Sequence, residues 1–568
     1  MNSSQIHVVE VGKKKELQLQ IDVPTKKGTE RRTIPESQAS PEIKAYLRNP
    51  SSAKGKVINV EFEMQDGQAK RVRLAGQSWT GPPPAPITKP SSGNAQQLEA
   101  KFENPYNFIP ALPRGTTHAT LGDAKHTGLP GHHRYHAGKW SGRISVELTT
   151  VTPLLIPDSG MKDANGHKTF GIRKEDQAPY LPPTSIKGVL RAAYEAVTNS
   201  RMGVFMHCSK LKYKDDQARK KSPYSFTPQD LLDQSLLVAD ELDKLSPADR
   251  VFGWVNKKGH GQFKGQLHIG AVTCLQGTTA IEPLGNGQGI PLAILGAPKP
   301  AQARFYAAKN SKGEPLDKGS AKSSAYGKNQ GLRGRKVYPH QKQATHNDYW
   351  DANTSNAKAI TAPIVGQAVY REWQRLAETQ DKIRTEQNRS INEWVKPETT
   401  FNFDVDVTNL SGVELGALLW LLNQPDKHYF RFGGGKPLGF GSATLKITSL
   451  DLRDGEAIRA DYAAFGESDG ALLKKIKNSV AAQPLIDAYK QALPVAVGDA
   501  NQPFDNLRVI KAFVNAAKGG DLPVHYPRSS APPNAKGENF TWFRANEKNG
   551  QKNSLPDLVN AVRGLPIL

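Results

Sequence analysis

Cysteine is nearly absent from this chain: Cys208 and Cys274 are the only two among 568 residues. Two thiols cannot build a disulfide framework, which points to the reducing cytoplasm. Long apolar runs are missing as well. Hydrophobic residues make up 37%, and no stretch approaches the ~20 residues that cross a bilayer, so no membrane partner is expected. The opening MNSSQIHVVEVGKKKELQLQ lacks the basic segment and apolar core of a cleaved leader. Acid is scarce relative to base. Fifty-four Asp+Glu stand against 76 Lys+Arg, a formal charge of +22. A surplus of that size suits a polyanionic partner, because neutralising phosphates releases counterions.

Proline and glycine punctuate the rest. Residues 1–80 read as a small β-rich unit. VINVEFEM (57–64) and AKRVRL (69–74) alternate around an Asp66-Gly67 turn, and IHVVEV with LQLQIDV forms a similar pair. GPPPAPITKPSSGN marks a linker over 81–100. In the span 101–199 a strand opens at GRISVELTT, and a helix follows over Thr184–Asn199. Its apolar face carries Ile186, Val189, Leu190, Ala193 and Val197, and Thr184 or Ser185 caps it. Residues 200–395 form a long insertion of helices and basic loops. EWQRLAETQDKIRTEQ (372–387) there reads as a charged amphipathic helix. Over 396–450, FNFDVDV is a strand, Ser411 caps a helix, and a glycine-rich loop leads into a last strand. Residues 451–568 read as a mainly helical extension, with helices over 470–492, 506–518 and 554–563. The order strand, helix, insertion, strand, helix, strand suits an α+β, ferredoxin-like core of the split βαβ kind.

The loop YFRFGGGKPLGFGSATLKI (429–447) fits neither common phosphate-binding pattern. Pro437 follows Gly435-Lys436 where a Walker loop needs Ser or Thr, and a strand follows where both patterns need a helix. Two readings remain. The backbone approaches an RNA strand closely, helped by Arg431, Gly433, Gly434, Gly435, Lys436, Gly439 and Gly441, with Phe432 and Phe440 packing or stacking. Alternatively, the glycines let one strand cross another.

The chain resembles the RAMP superfamily of CRISPR-associated proteins. TPLLIPDSG (152–160), YLPPTSIKGVLRAAYEAV (180–197), DRVFGW (249–254), KGQLHIGAV (264–272) and FRFGGGKPLGFGSATL (430–445) carry the likeness. FENPYNFIP (102–110), GHHRY (131–135), LRGRKVYPH (332–340) and VHYPR (524–528) match a long subgroup of it. The resemblance implies an RRM-like fold in a backbone subunit of a type III effector complex for antiviral defence. The partners it implies are crRNA, a complementary target RNA and the other effector subunits. Thr184, Ser185, Lys187 and Arg191 would then meet phosphate at a helix N-terminus, where free N–H groups favour anions. The basic stretch 309–342, flexible until bound, would add Arg333, Arg335 and Lys336, with Tyr326 and Tyr338 stacking on bases.

Some relatives cleave target RNA with an aspartate in the loop after the first strand, using a divalent metal. Here that loop, IPDSGMKDANGHKTFGIRKEDQ, offers Asp158 and Asp163, with Asp176 third. Either carboxylate would hold Mg²⁺ or another divalent cation at the scissile phosphate or take the 2′-hydroxyl proton. His167 and Lys162 would assist. The alternatives are a structural cap subunit without chemistry and a metal-independent endoribonuclease that processes the guide. His126, His132, His133 and His136 have no cysteine near them, and although His132 and His136 have the helical spacing, the local Gly and Pro argue against a helix, which argues against zinc.

Overall fold

The computed structural model divides the chain into two compact units, residues 1–96 and 97–568. It describes residues 2–11, 16–25, 28–34, 39–48, 58–65, 68–77, 101–203, 228–256, 259, 261–285, 289–297, 302–321, 325–354, 357–361, 363–465, 475–535, 539–548, 551–560 and 564–568.

In the first unit, strands β1 (Asn2–Val11), β2 (Glu16–Thr25), β3 (Gly28–Thr33), β4 (Ile58–Gln65) and β5 (Gln68–Leu74) form one antiparallel sheet. The order is β3–β2–β1–β4–β5. Alternation sends Ile21, Val23, Val60, Phe62 and Val72 into a core shared with Ile43 of helix α1 (Pro41–Arg48). Both expected hairpins are present, β1 with β2 and β4 with β5. Asp66-Gly67 and the 81–100 linker lie outside the described residues.

The second unit is built on strands β6 (Lys139–Thr150), β7 (Leu267–Ile269), β8 (Thr400–Ser411), β9 (Phe430–Arg431) and β10 (Ser442–Asp454). They run antiparallel in the order β7–β8–β6–β10–β9. Ile144, Val146 and Leu148 of β6 and Phe401, Phe403 and Val405 of β8 point to one face. Helices α2 (Pro183–Val197) and α3 (Gly412–Leu422) share this core. Ile186, Leu190 and Tyr194, four residues apart, bury α2, and the Tyr194 hydroxyl donates to Glu414 O at 3.1 Å. Ser411 caps α3 as expected, in a reciprocal box with Glu414. The result is a mixed α+β architecture.

The extension supplies helices α4 (Ser479–Ala496) and α5 (Arg508–Lys518). Of the helix expected over 470–492, residues 470–474 lie outside the described residues, and the described helix begins at Ser479, where Asn478 caps it. No helix forms over 554–560, where Leu555 and Leu558 are buried in coil. The nearest helix is instead Asn539–Lys548. Among its described residues the insertion is mostly short strands, single 3₁₀ turns and two short helices. The expected 372–387 helix is absent: Trp373 is fully buried with its indole bonded to Tyr349 O, and Arg375 N–H donates to Pro291 O. Those anchors hold the chain extended. The segment 161–170 leaves the core and joins a small sheet with 389–391 and 290–291.

Two aromatic clusters hold these parts together. Trp350, Trp373 and Trp394 surround Phe440 of the glycine loop, with Trp350 at 4.6 Å. Phe102, Tyr106 and Phe108 pack with Phe305 and Trp542. The FENPYNF and LRGRKVY segments pair as strands through Asn107–Ile109 and Arg335–Val337. His525 of VHYPR stacks on Phe102 at 4.4 Å.

Candidate nucleic-acid interface

Helix α2 begins at Pro183, which needs no N–H in the first turn. Pro182 is its cap residue, so Thr184 and Ser185, expected as caps, stand inside the first turn and are exposed. The glycine loop faces them across a cleft of about 890 Å³. Its walls carry Thr184, Ser185 and Arg191 from α2, Gly334 to Tyr338 from the insertion, and Arg431, Gly433, Gly434 and Lys436 from the loop. The helix start and the glycine loop, some 250 residues apart in sequence, thus share one groove.

The loop is held by the protein's own backbone. Gly434 N–H donates to Leu155 O at 2.9 Å, Gly441 N–H to Pro153 O at 2.8 Å, and Phe432 N–H to Gly441 O at 2.7 Å. A side chain on Gly433 would collide with Leu155 O, and one on Gly441 with Phe432 O. Gly435 would meet Phe440, and Gly439 would meet Ala344. All four have φ between +64° and +100°. Gly435, Gly439 and Gly441 therefore serve the turn, and they are not in the cleft wall where their RNA contact was expected. Phe432 and Phe440 are fully buried and pack; neither is free to stack on a base.

Six cations line the cleft, Arg173, Arg191, Arg335, Lys336, Arg431 and Lys436, against one carboxylate, Glu195. Some are already engaged. Arg335 is buried and bonds Glu195 at 3.1 Å and Ser200 O. Arg191 donates to Gly253 O at 2.6 Å and to Asp249 at 3.1 Å, so DRVFGW anchors α2 through its Asp249. Arg431 spends its guanidinium on Pro339, Lys436 and Phe440 carbonyls, with no carboxylate among those partners. Burial pulls it below its ordinary range. Lys436 is half-buried, and burial, then Arg431, pulls its ammonium down to about 8. Lys336 lies over the Tyr106 ring at 4.1 Å and near the Tyr338 ring at 5.3 Å. The groove is thus positive, with Tyr338 and Tyr429 in its wall.

Other expected contacts fall elsewhere. Arg333 is buried and bonded to Leu555 O, turned from the cleft. Tyr326 is fully buried at φ +53°. The segment around 309–342 is not a free basic loop, because 307–308 pairs with 331–332 and 335–337 with 107–109. Lys187 reaches Leu267 O at 3.2 Å and is not in the cleft wall. Arg173, Tyr429 and Gly188 also line the cleft and were not among the residues expected to meet RNA. Gly188 carried a signal, since a helix-interior glycine costs about 1 kcal/mol against alanine. A Cβ there would meet no protein atom within 4 Å.

Asp158 follows Pro157, which stands in the cleft wall, and is exposed. Its Oδ1 accepts from Gly160 N–H at 2.8 Å and Gly171 N–H at 3.2 Å. Asp163 Oδ1 accepts from Asn165 and His167 N–H, both at 2.9 Å. Both carboxylates fold their own turns. Asp176 sits exposed in a tight turn at φ +48°. His167 is buried between Thr385 O and Ser390 Oγ, so it cannot assist at a phosphate. Among the described residues no three His, Cys, Asp or Glu side chains gather to cage a metal. Mg²⁺ also binds through one or two carboxylates completed by phosphate and water, the mode a single exposed Asp158 fits.

A mixed α+β unit with a positive groove between a helix start and a glycine-rich turn is the class these observations define. The family model of the RAMP superfamily matches residues 147–444, just over half of the chain, and the chain belongs to that superfamily. The matched span runs from β6 into β10. A chain of a Type IV-B CRISPR complex is similar at 15% identity, covering 54% of this chain and 90% of its own, with a TM-score of 0.23. A search of curated proteins finds no match. No helix among the described residues is long and apolar enough to cross a membrane.

Proposed function

We propose that this protein is a crRNA-binding backbone subunit of a type III CRISPR ribonucleoprotein and meets target RNA beside the guide. The observation that carries this reading is the single cleft shared by the α2 start, the 334–338 segment and the glycine turn. Its cations suit a ribose-phosphate strand, and the small residues Gly188, Ala192 and Ala196 in its wall let a backbone come close. The order β7–β8–β6–β10 with a helix after β6 and after β8 suits a ferredoxin-like, RRM-like core, which supports this reading.

The nearest exposed carboxylate to this groove along the chain is Asp158, one residue beyond the lining Pro157. It is the residue we assign to target cleavage, with Asp163 a turn residue farther along the loop. A divalent cation held there would stabilise charge on the scissile phosphate. A second reading, a subunit that holds RNA without cutting it, is favoured by the two main-chain N–H groups that already occupy Asp158 Oδ1.

Purification from the native host and sequencing of bound RNA tests the first claim. Repeat-derived guide RNA is the expected result, and its absence from a folded, natively assembled protein overturns it. Asp158→Ala in the assembled complex separates the two readings. Loss of target cutting with guide content unchanged supports cleavage here; unchanged cutting supports the holding role.

A further inference from the structure

The turn Lys436–Leu438 that closes the first cleft also borders a second one. Lys436 faces the first, and Pro437 and Leu438 line the other, whose volume is about 300 Å³. That is the low end of ligand-sized pockets. Its charge comes from the insertion and the extension. Arg371, Arg375 and Arg528 line it with a single carboxylate, Glu372.

The three arginines are not equivalent. Arg528 pairs with Glu372 at 2.6 Å and donates to Ser530 and Ala531 carbonyls. Arg371 is buried and donates to Asp348 O at 2.7 Å and Lys358 O at 3.1 Å. Arg375 has no such use. Its Nε is buried without a hydrogen-bond partner, and no carboxylate pairs with it among the described residues. Its backbone is nonetheless fixed, since its N–H donates to Pro291 O at 2.8 Å. Burial alone holds the guanidinium below its ordinary range. A half-buried guanidinium with no carboxylate partner, on a fixed backbone, is a ready partner for a phosphate, which it can take through two parallel bonds. Leu438, Pro527 and Tyr526 give the wall apolar and aromatic surface, and Gln374, His525, Asn534 and Asn539 give it polar groups. Gly296 is needed where the Tyr526 ring comes up against the main chain.

We propose that this second cleft receives one nucleotide of the RNA strand that crosses the Lys436–Leu438 turn, with its phosphate on Arg375 and its base against Tyr526, Leu438 and Pro527. The proposal rests on the RNA-binding reading above. It deepens that reading by adding a second, base-sized contact on the far side of the glycine turn. The RNA path then bends over the turn, and the glycine loop acts as a saddle between two sites.

The test uses the full chain and fluorescein-labelled single-stranded RNAs of graded length, read by anisotropy. Lys436→Ala is expected to weaken every length. Arg375→Ala is expected to leave the shortest RNAs unaffected and to weaken RNAs long enough to cross the turn by roughly 5- to 10-fold. Arg375→Lys recovers part of that loss, because it keeps the charge and loses the fork. In wild-type protein, 4-thiouridine RNA crosslinks to the peptide carrying Tyr526, a readout that does not depend on any variant's folding. Arg375→Ala weakening all lengths alike, or none, with no crosslink at Tyr526, overturns the proposal while RNA binding stands. Displacement of RNA from neither site alongside capture of an acidic peptide by Arg375 overturns it in favour of a protein partner. Failure of wild-type protein to bind any RNA overturns the reading on which it rests.

Discussion

At the scale of single residues, Lys436 reports most directly on the groove. Its ammonium is pulled down to about 8, chiefly by burial and next by Arg431, because nothing nearby rewards the charge. A phosphate would reward it. The sign of the linkage follows. Below about pH 7 the free protein already carries the proton, and RNA binds at no protonation cost. As pH rises through about 8 the free protein loses the proton, binding must restore it, and affinity falls. Lys436→Arg should flatten the profile in that range, because a guanidinium stays charged. RNA affinity measured at constant salt between about pH 6.5 and 9.5 checks this; a profile identical in wild type and variant would remove Lys436 from the interface. Lys336, also lowered by burial, stays present in both proteins.

At the scale of elements, the glycines divide into two kinds with opposite expected effects. Gly441 has φ +77° and no room for a Cβ beside Phe432 O, so Gly441→Ala should cost at least about 2 kcal/mol of stability. Gly188 lies inside α2 with open space around it. Gly188→Ala should stabilise the helix by up to about 1 kcal/mol and weaken RNA binding by crowding the groove. Thermal melts paired with RNA titrations distinguish the two. The contrast shows what was legible. The α2 and α3 helices and the strands around them follow from periodicity and, for α3, from the Ser411–Glu414 box. The positive groove followed from residue type at a helix start and a turn. The burial of Arg333 and Arg335 was not legible, since an arginine that bonds internal carbonyls reads in sequence like one in water. Nor was the coil at 372–387. Its charge pattern suits a helix, but Trp373 and Arg375 are fixed by partners at Tyr349 and Pro291, which only the folded chain supplies.

At the scale of the whole molecule, the remaining choice is which surface meets RNA. RRM-type domains stack bases on aromatic side chains of the open sheet face. Here that face presents Arg143, Ser145 and Glu147 of β6 and Asn402, Asp404 and Asp406 of β8, with no Phe, Tyr or Trp. Arg143 is already bonded to Asp406 at 2.7 Å and lies 3.4 Å from Asp404, and Ser145 donates to Asp404 at 2.7 Å. On that face Arg143 is already held by Asp404 and Asp406, whereas the groove on the helix side holds Arg173, Lys336 and Lys436. Asp406→Asn should therefore leave RNA affinity within about twofold of wild type, since an exposed pair is worth about 1 kcal/mol or less to the fold and lies away from the strand. Combining Arg173→Ala, Lys336→Ala and Lys436→Ala should reduce the slope of log affinity against log salt by about 2, at ~0.7 per single-strand phosphate contact. Titrations at several salt concentrations read both effects in one series. A slope that responds to the sheet-face variant and ignores the groove variants would move the RNA to the opposite side of the molecule, and the cleft between α2 and the glycine turn would need another occupant.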